Sequence, residues 1–378
     1  MPYICANCVK DASLKRLIGD HGIDGSVCDV CQIASKAIDA GCNRFQQLFK
    51  SLIRYHYNEW DYNPHWGGSH LESIFYSENP ILQHLNVKNE DGLYSVFEAA
   101  TENAYEEYDK GVTLYAGYID GQPAGILRSL KSETHPALGK IEERLKMENH
   151  FNVEPEMRAL LEKYKGIIDT TQPKDAEFLR ARIGFKSKKL PWDLSFEPDY
   201  HYEPFVESEI SAPPPRLSSA GRINRQGVSF FYAATNAETA ITEVRPHPGD
   251  VISIGRFKTT RPLLFADFTE TRIEHFSQSD RLLDDFLVIH TINVYLNKVV
   301  PPSERERYSV TQLIADTLRQ LGYDGVMFLS TVGNGYNVVV FQPEFMEFKP
   351  EEGMVFEIQN LSYVMTKKKI AGNTNDYF

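Results

Sequence analysis

Apolar residues recur at helical intervals through the first part of the chain and at strand-like intervals beyond about residue 176. FQQLFKSLIRYHY places Phe45, Leu48, Phe49, Leu52 and Ile53 on one stripe, which predicts an amphipathic helix. DYNPHWGGSH then breaks the pattern with Pro64, Gly67 and Gly68. GLYSVFEAATENAYEEY and LGKIEERLKMENHF read as further helical stretches, and Pro155 opens another that Gly166 closes. Residues 32–168 therefore predict a mostly helical domain, and DTTQPKDAE, residues 169–177, reads as a linker.

Beyond it, FLRARIGF, VSFFYAA, DVISIGRF, PLLFADF, GVMFLS and YNVVVF predict strands, and SVTQLIADTLRQLG an amphipathic helix ended by Gly322. A Pro/Gly/Ser loop runs from Pro213 to Gly227. NAETAITEV predicts a short helix with Asn236 as its N-cap and Ala237, Ala240, Ile241 and Val244 as its buried stripe. Residues 169–350 thus predict a mixed α/β domain, and residues 351–378 a C-terminal extension ending in a loose, lysine-containing tail. The fold class expected for the whole chain is α+β.

Composition narrows the function. A chain of 378 residues with 22 Phe and 20 Tyr has ample material for more than one core. Its formal net charge of −12 argues against general nucleic-acid binding, which needs a basic footprint. MPYICANCVK lacks the basic start and apolar core of an export signal, and no apolar run reaches the eighteen or so residues of a membrane helix. Cytoplasm is the expected location, and that decides how the cysteines are read. Cys5 and Cys8 form one CxxC, Cys28 and Cys31 a second, nineteen residues apart. Two such knuckles supply four thiolates to a closed, structural zinc site, so residues 1–31 predict a zinc ribbon. Cys42 is expected on a helix as a small buried hydrophobe.

The second domain carries the candidate chemistry. Glu243 falls off the apolar stripe of its helix and projects from the flank; the commonest fate of such a residue is a solvated one. Its company raises its interest: Tyr232 ends the preceding strand and Arg222 lies in the loop before it. Arg180 and Arg182 share one strand face, water-exposed or aimed at an anion. LSTVGNGYN follows a strand with Ser330 and a Gly-Asn-Gly loop that either forms a plain hairpin turn or lets backbone amides approach a ligand. Arg144 and His150 have the Arg-x5-His spacing of some helical ribonucleases, but with eleven histidines the match is expected by chance.

Arg180 on its strand, then GRIN, FFYAATNAETAITEV and GYDGVMFLSTVGNGYNVVVF, occur in the order seen in the RES-domain family, which residues 176–345 resemble. The segment before them resembles the zinc-ribbon and HEPN-like region found ahead of some RES domains. The family is similar to ADP-ribosyltransferases in fold and consumes NAD as glycohydrolase or phosphorylase, often as a toxin held by an antitoxin. The resemblance implies Arg180, Tyr232, Glu243 and Ser330 as catalytic residues, and Arg180, Arg222, Asn224, Tyr232 and Ser330 as NAD contacts. It also implies an antitoxin or regulatory protein as partner, with a homo-oligomer left open. Leu179, Ile223 and Arg225 depart from the residues common at those positions.

The residue types suit the reaction. Nicotinamide leaves NAD neutral, so no general acid is needed, and a fixed carboxylate stabilises the oxocarbenium-like ribose left behind. Glu243 is the candidate for that role, with Arg180 and Arg222 on the pyrophosphate, Tyr232 shaping the nicotinamide slot and Ser330 bonding the ribose or carboxamide. An ADP-ribosyltransferase acting on a macromolecule, or a non-catalytic binding module, are the alternatives.

Overall fold

The computed structural model describes residues 1–62, 67–69, 79–102, 118–119, 122–123, 128–190, 200–301, 304–362 and 364–368. The expected break at 61–70, the end of the helical stretch at 92–108 and the end of the tail lie partly outside them. The chain divides into two compact units, residues 1–169 with 266–321, and residues 170–265 with 322–378. A serial division at residue 168 misses this, because the segment 266–321 returns to the first unit.

The first unit opens with a three-stranded antiparallel sheet, β1 (Tyr3–Cys5), β2 (Ile23–Val27) and β3 (Ala34–Asp39), in the order β1-β3-β2. Cys5 pairs with Ala37 and Val27 with Ala34, so the ribbon extends through β3, beyond residue 31. Between β1 and β2 lies α1 (Ala12–His21), started by Asp11, whose carboxylate accepts from the Ser13 and Leu14 amides. Next comes α2 (Asn43–His56), whose stripe residues Phe45, Leu48, Phe49, Leu52 and Ile53 are all buried. Cys42 is its half-buried N-cap residue rather than a helix-interior core residue.

The unit continues with α3 (Glu59–Tyr62), α4 (Glu90–Thr101), the short pair β4 (Tyr118–Ile119) and β5 (Gln122–Pro123), α5 (Pro136–Arg144) and α6 (Glu154–Glu162). The second unit's strands then begin: β6 (Asp169–Gln172), β7 (Glu177–Ile183), β8 (Ser187–Lys189), β9 (His201–Glu203) and β10 (Phe231–Ala234). They are followed by α7 (Ala237–Glu243), β11 (Val251–Thr259) and β12 (Leu263–Phe268). The returning segment supplies α8 (Asp280–Asn297) and α9 (Ser309–Gln320) to the first unit, where α9 packs on α6. The chain ends with β13 (Gly325–Leu329), β14 (Tyr336–Val340) and β15 (Met346–Glu357). Two expectations are corrected. Part of the supposed linker is strand β6, and residues 351–357 continue β15 instead of starting an extension.

The α+β class stands. The strands form an eight-stranded sheet in the order β15-β11-β7-β10-β14-β13-β12-β6. One face buries Phe178, Phe231, Phe257, Phe265, Val338 and Val340. The other buries Ala181, Ala234, Ile252 and Ile254 beneath Ala237, Ala240, Ile241 and Val244 of α7, the stripe the sequence predicts. Alanines on both sides of this seam keep the helix close to the sheet. Asn236 caps α7 by accepting from the Thr239 amide, and Arg245 at φ 53° takes the left-handed conformation that ends it. The helix therefore stops with Glu243 as its last residue.

Candidate active site and metal centre

Glu243 is exposed, and its Oε1 accepts two hydrogen bonds, 2.8 Å from Ser330 Oγ and 2.7 Å from Asn337 Nδ2. Both donors converge on one oxygen, so among the described residues Oε2 has no protein donor. Ser330 Oγ in turn accepts from the Val332 and Gly333 amides at 3.2 and 3.0 Å. The hydroxyl the sequence assigns to ribose is thus directed at the carboxylate.

The Gly-Asn-Gly loop wraps the start of α7 instead of presenting its amides outward. Gly335 N donates to Thr239 Oγ1 at 2.9 Å and Tyr336 N to Thr235 Oγ1 at 3.0 Å. A Cβ on Gly335 would stand 2.4 Å from Asn236 Nδ2, so this approach requires glycine. With the amides of residues 332, 333, 335 and 336 engaged, the loop is no phosphate cradle.

Tyr232 organises the second cluster. Its hydroxyl donates to Asn224 Oδ1 at 2.7 Å and accepts from the Ile223 amide at 3.2 Å. Asn224, which the resemblance places on NAD, is buried, and its Nδ2 donates to the carbonyls of Ser219, Arg225 and Val228. It builds the loop. A Cβ on Gly221 would lie 2.5 Å from Asn224 Oδ1 and 3.0 Å from the Tyr232 hydroxyl, so the turn ahead of Arg222 also needs glycine. Burial pushes the Tyr232 phenol well above its ordinary range, against the opposing charges of Arg222 and Arg180. It stays protonated at neutral pH and serves as a hydrogen-bonding group, not a base. The departure at Ile223 is accommodated by burying that side chain.

Strand register joins the two clusters. Leu179 pairs with Ala234, Ala234 with Asn337, and Asn337 with Phe328, a row across β7, β10, β14 and β13. Tyr232 pairs with Val339 in the next row on the same face, which makes it a diagonal neighbour of Asn337, roughly 7–8 Å away. The Arg222 guanidinium lies over the Phe328 ring, 6.0 Å from its centroid. Arg222, Tyr232, Asn337 and Glu243 therefore share one face of the sheet, the face that carries α7. Asn337 is a site residue that the sequence reading missed. Its only signal is a polar side chain at the start of the otherwise apolar NVVVF strand.

Arg180 leaves β7 from the opposite face, with Phe178. Its guanidinium lies over Phe231, donating from Nε to the Ile210 carbonyl at 2.8 Å and from Nη1 to the Tyr232 carbonyl at 2.6 Å. Ala234–Leu179 is the one register pair between β10 and β7, so the guanidinium takes a carbonyl that a longer ladder would have used. Burial, then the Arg182 charge, lower Arg180 to about 10, which still leaves it cationic at neutral pH. Arg182 donates to the Glu209 carbonyl and lies over Phe205. Both strand arginines hold the 205–210 segment.

In the first unit, the Sγ atoms of Cys5, Cys8, Cys28 and Cys31 lie within 4.8 Å of one another, and all four residues are buried. The Cys5–Cys8, Cys5–Cys31 and Cys8–Cys28 sulfur separations are each 3.7 Å. A tetrahedral ion with metal–sulfur bonds of about 2.3 Å sets its sulfurs about 3.8 Å apart, so the group fits a four-thiolate metal with no open position. The hydrogen bond shared by Cys8 and Cys28 pulls the Cys28 thiol down to about 5 and pushes that of Cys8 far up. Elsewhere in this unit, Arg144 is ion-paired with Glu148 and Glu156, the solvated-helix role expected of it.

A helix laid on a sheet, with a carboxylate at its end and an arginine and a tyrosine on the same sheet face, defines an α+β protein with a polar candidate site. Comparison with known families makes this particular: residues 190–364 match the model of the RES domain. The match includes Arg222, Asn224, Tyr232, Glu243 and Ser330, and begins after Arg180. Among solved structures, the crystal structure of the M. tuberculosis MbcT–MbcA toxin–antitoxin complex is similar over 52% of this chain and 92% of that one, at 12% identity and a TM-score of 0.31. No curated protein matches. Among the described residues, no helix is long and apolar enough to cross a membrane.

Proposed function

We propose that this protein cleaves the bond between ribose C1′ and nicotinamide in NAD, with Glu243 as the residue that stabilises the transition state. The observation that carries this reading is the Glu243 carboxylate, held through Oε1 by Ser330 and Asn337 and with no donor to Oε2 among the described residues, on the sheet face that bears Tyr232 and Arg222. The bonding pair leaves with nicotinamide, which departs neutral. The ribose takes on positive charge, and a prepositioned carboxylate lowers its energy without reorganising. Water or phosphate then attacks C1′, giving ADP-ribose or ADP-ribose 1″-phosphate.

Arg222 supplies positive charge for the pyrophosphate, whereas Arg180, on the opposite face of the sheet, braces β10 and the 205–210 segment. Tyr232 fixes the loop that carries Arg222 and walls the slot beside it. Ser330 acts by orienting Glu243. The match of residues 190–364 to the RES domain supports NAD as the substrate, and the resemblance of the chain to RES toxins supports a toxin role with an antitoxin as partner. The four cysteines would hold a structural zinc ion that ties the ribbon together.

Incubation of the purified protein with NAD, followed by chromatography, tests the reading. Free nicotinamide should appear, and Glu243→Gln should lower its release about 100-fold or more, the loss typical of removing one preorganised electrostatic group. Release at the wild-type rate from a folded Glu243→Gln protein overturns the assignment. Parallel reactions with and without phosphate separate the phosphorylase from the hydrolase. Label transferred from NAD to protein or nucleic acid favours the transferase.

A further inference from the structure

We infer that Asn337 is the positioning residue for Glu243, the group that holds the carboxylate with Oε2 toward the ligand; the inference rests on the reading of Glu243 given above. Two donors reach Oε1, but they differ in how firmly they are anchored. Ser330, half-buried, stands beyond the end of β13, where the loop of residues 331–335 begins. Asn337 lies inside β14, with Ala234 paired on one side and Phe328 on the other. Its backbone is fixed by ladders to both neighbouring strands, so its amide keeps its place whatever the loop does. The 2.7 Å bond from Nδ2 ties the last residue of α7 to the centre of the sheet.

Two features of the site give this tie its purpose. Glu243 is exposed, and an exposed glutamate samples several rotamers unless something selects one. A carboxylate that must already face a developing cation gains from the fixed orientation, since orientation lost before reaction is recovered only at a cost in rate. An amide suits the position better than a carboxylate or an apolar group. It donates to Oε1 and carries no charge, so it neither repels Glu243 nor competes with it for the ribose. Asn337 touches no reacting atom in this arrangement and acts through Glu243.

The test compares wild type, Asn337→Leu, Asn337→Asp and Glu243→Gln, together with Asn337→Leu in the Glu243→Gln background, as full-length proteins releasing nicotinamide from NAD. Asn337→Leu keeps the size of the side chain and removes the donor. It should lower kcat about tenfold, one charge-assisted hydrogen bond's worth, with KM changed less than twofold. Asn337→Asp, isosteric and charged, should lower kcat further. In the Glu243→Gln background Asn337→Leu should change the residual rate less than twofold, because the group it positions is gone.

An undiminished kcat in Asn337→Leu overturns the inference while leaving Glu243 in place. So does an equal loss in both backgrounds, which marks a general effect on the fold. If Asn337→Leu does not fold, Asn337→Asp, made alone and in the Glu243→Gln background, decides by the same comparison. Wild-type protein that releases nicotinamide no faster than Glu243→Gln removes both readings together.

Discussion

Replacing Tyr232 with phenylalanine removes one oxygen and leaves the ring in place, so no large cavity opens. What it takes away is the partner of two groups, the amide of Ile223 and Oδ1 of Asn224, whose residues are 1% and 4% exposed. A buried polar group left unsatisfied costs about 1–3 kcal/mol. With the low end for each, the substitution destabilises the second unit by about 2 kcal/mol. At a denaturant slope of about 2 kcal/mol/M that is a midpoint shift of about 1 M in urea. Hydrogen exchange locates the effect. The Ile223 amide should lose roughly 30-fold in protection, the factor equivalent to 2 kcal/mol.

The functional consequence follows from position. The loosened segment carries Arg222, so KM for NAD should rise several-fold while kcat changes less. A Tyr232→Phe protein with wild-type stability and unchanged Ile223 protection would refute the reasoning. So would one whose kcat alone collapses, since that would assign the phenol a chemical role.

The ribbon should contain one zinc ion per chain by elemental analysis, and chelation or Cys28→Ser should unfold residues 1–39, because binding to such a site is coupled to folding; a metal-free ribbon with unchanged melting refutes this. His56 is held neutral by burial, which lowers it to about 4, with the Lys131 charge adding to the effect. The unfolded chain, with an imidazole near 6.5, then binds more protons than the folded one between about pH 6.5 and 4. Stability should be fully present above pH 6.5 and decline as pH falls through that window. His56→Phe should flatten the decline, and an unaltered slope of unfolding free energy against pH would show that the burial of His56 is not its source.

What the sequence made legible is what short-range spacing encodes. The stripe of α7, its Asn236 cap, the stripe of α2 and the two CxxC knuckles each repeat within a few residues, and each is found as expected. Strands β7 and β10 to β14 were legible for the same reason, whereas β8, β9 and β15 have no counterpart among the expectations. What escaped depends on partners distant in sequence. Asp169–Gln172 is polar enough to pass for a linker and becomes a strand only through its neighbours in the sheet. The sequence expectations contain no counterpart of α8, whose run of Phe, Leu, Val and Ile is broken by polar residues without one clean face. Asn337 was invisible as a site residue because its meaning lies in register, opposite Ala234 and Phe328. The strand arginines were placed on the correct common face, but alternation cannot report that carbonyls of residues 209, 210 and 232 wait there.

The position of Glu243 shows why the site needs its supports. A carboxylate at the last residue of a helix faces the negative end of the backbone dipoles, a placement that costs about 0.3–1 kcal/mol relative to a neutral side chain. Exposure adds the entropy of fixing a flexible side chain. Nothing in the packing of α7 requires an acid there, since its buried stripe is complete with Ala237, Ala240, Ile241 and Val244. Ser330 and Asn337 offset the cost through two charge-assisted hydrogen bonds, and they come from a loop and a strand nearly a hundred residues away. A purely structural role for this residue would be met more simply by a lysine or a glutamine. An unfavourably placed charge, held in one orientation by two donors, is the arrangement expected when the charge itself acts on a ligand.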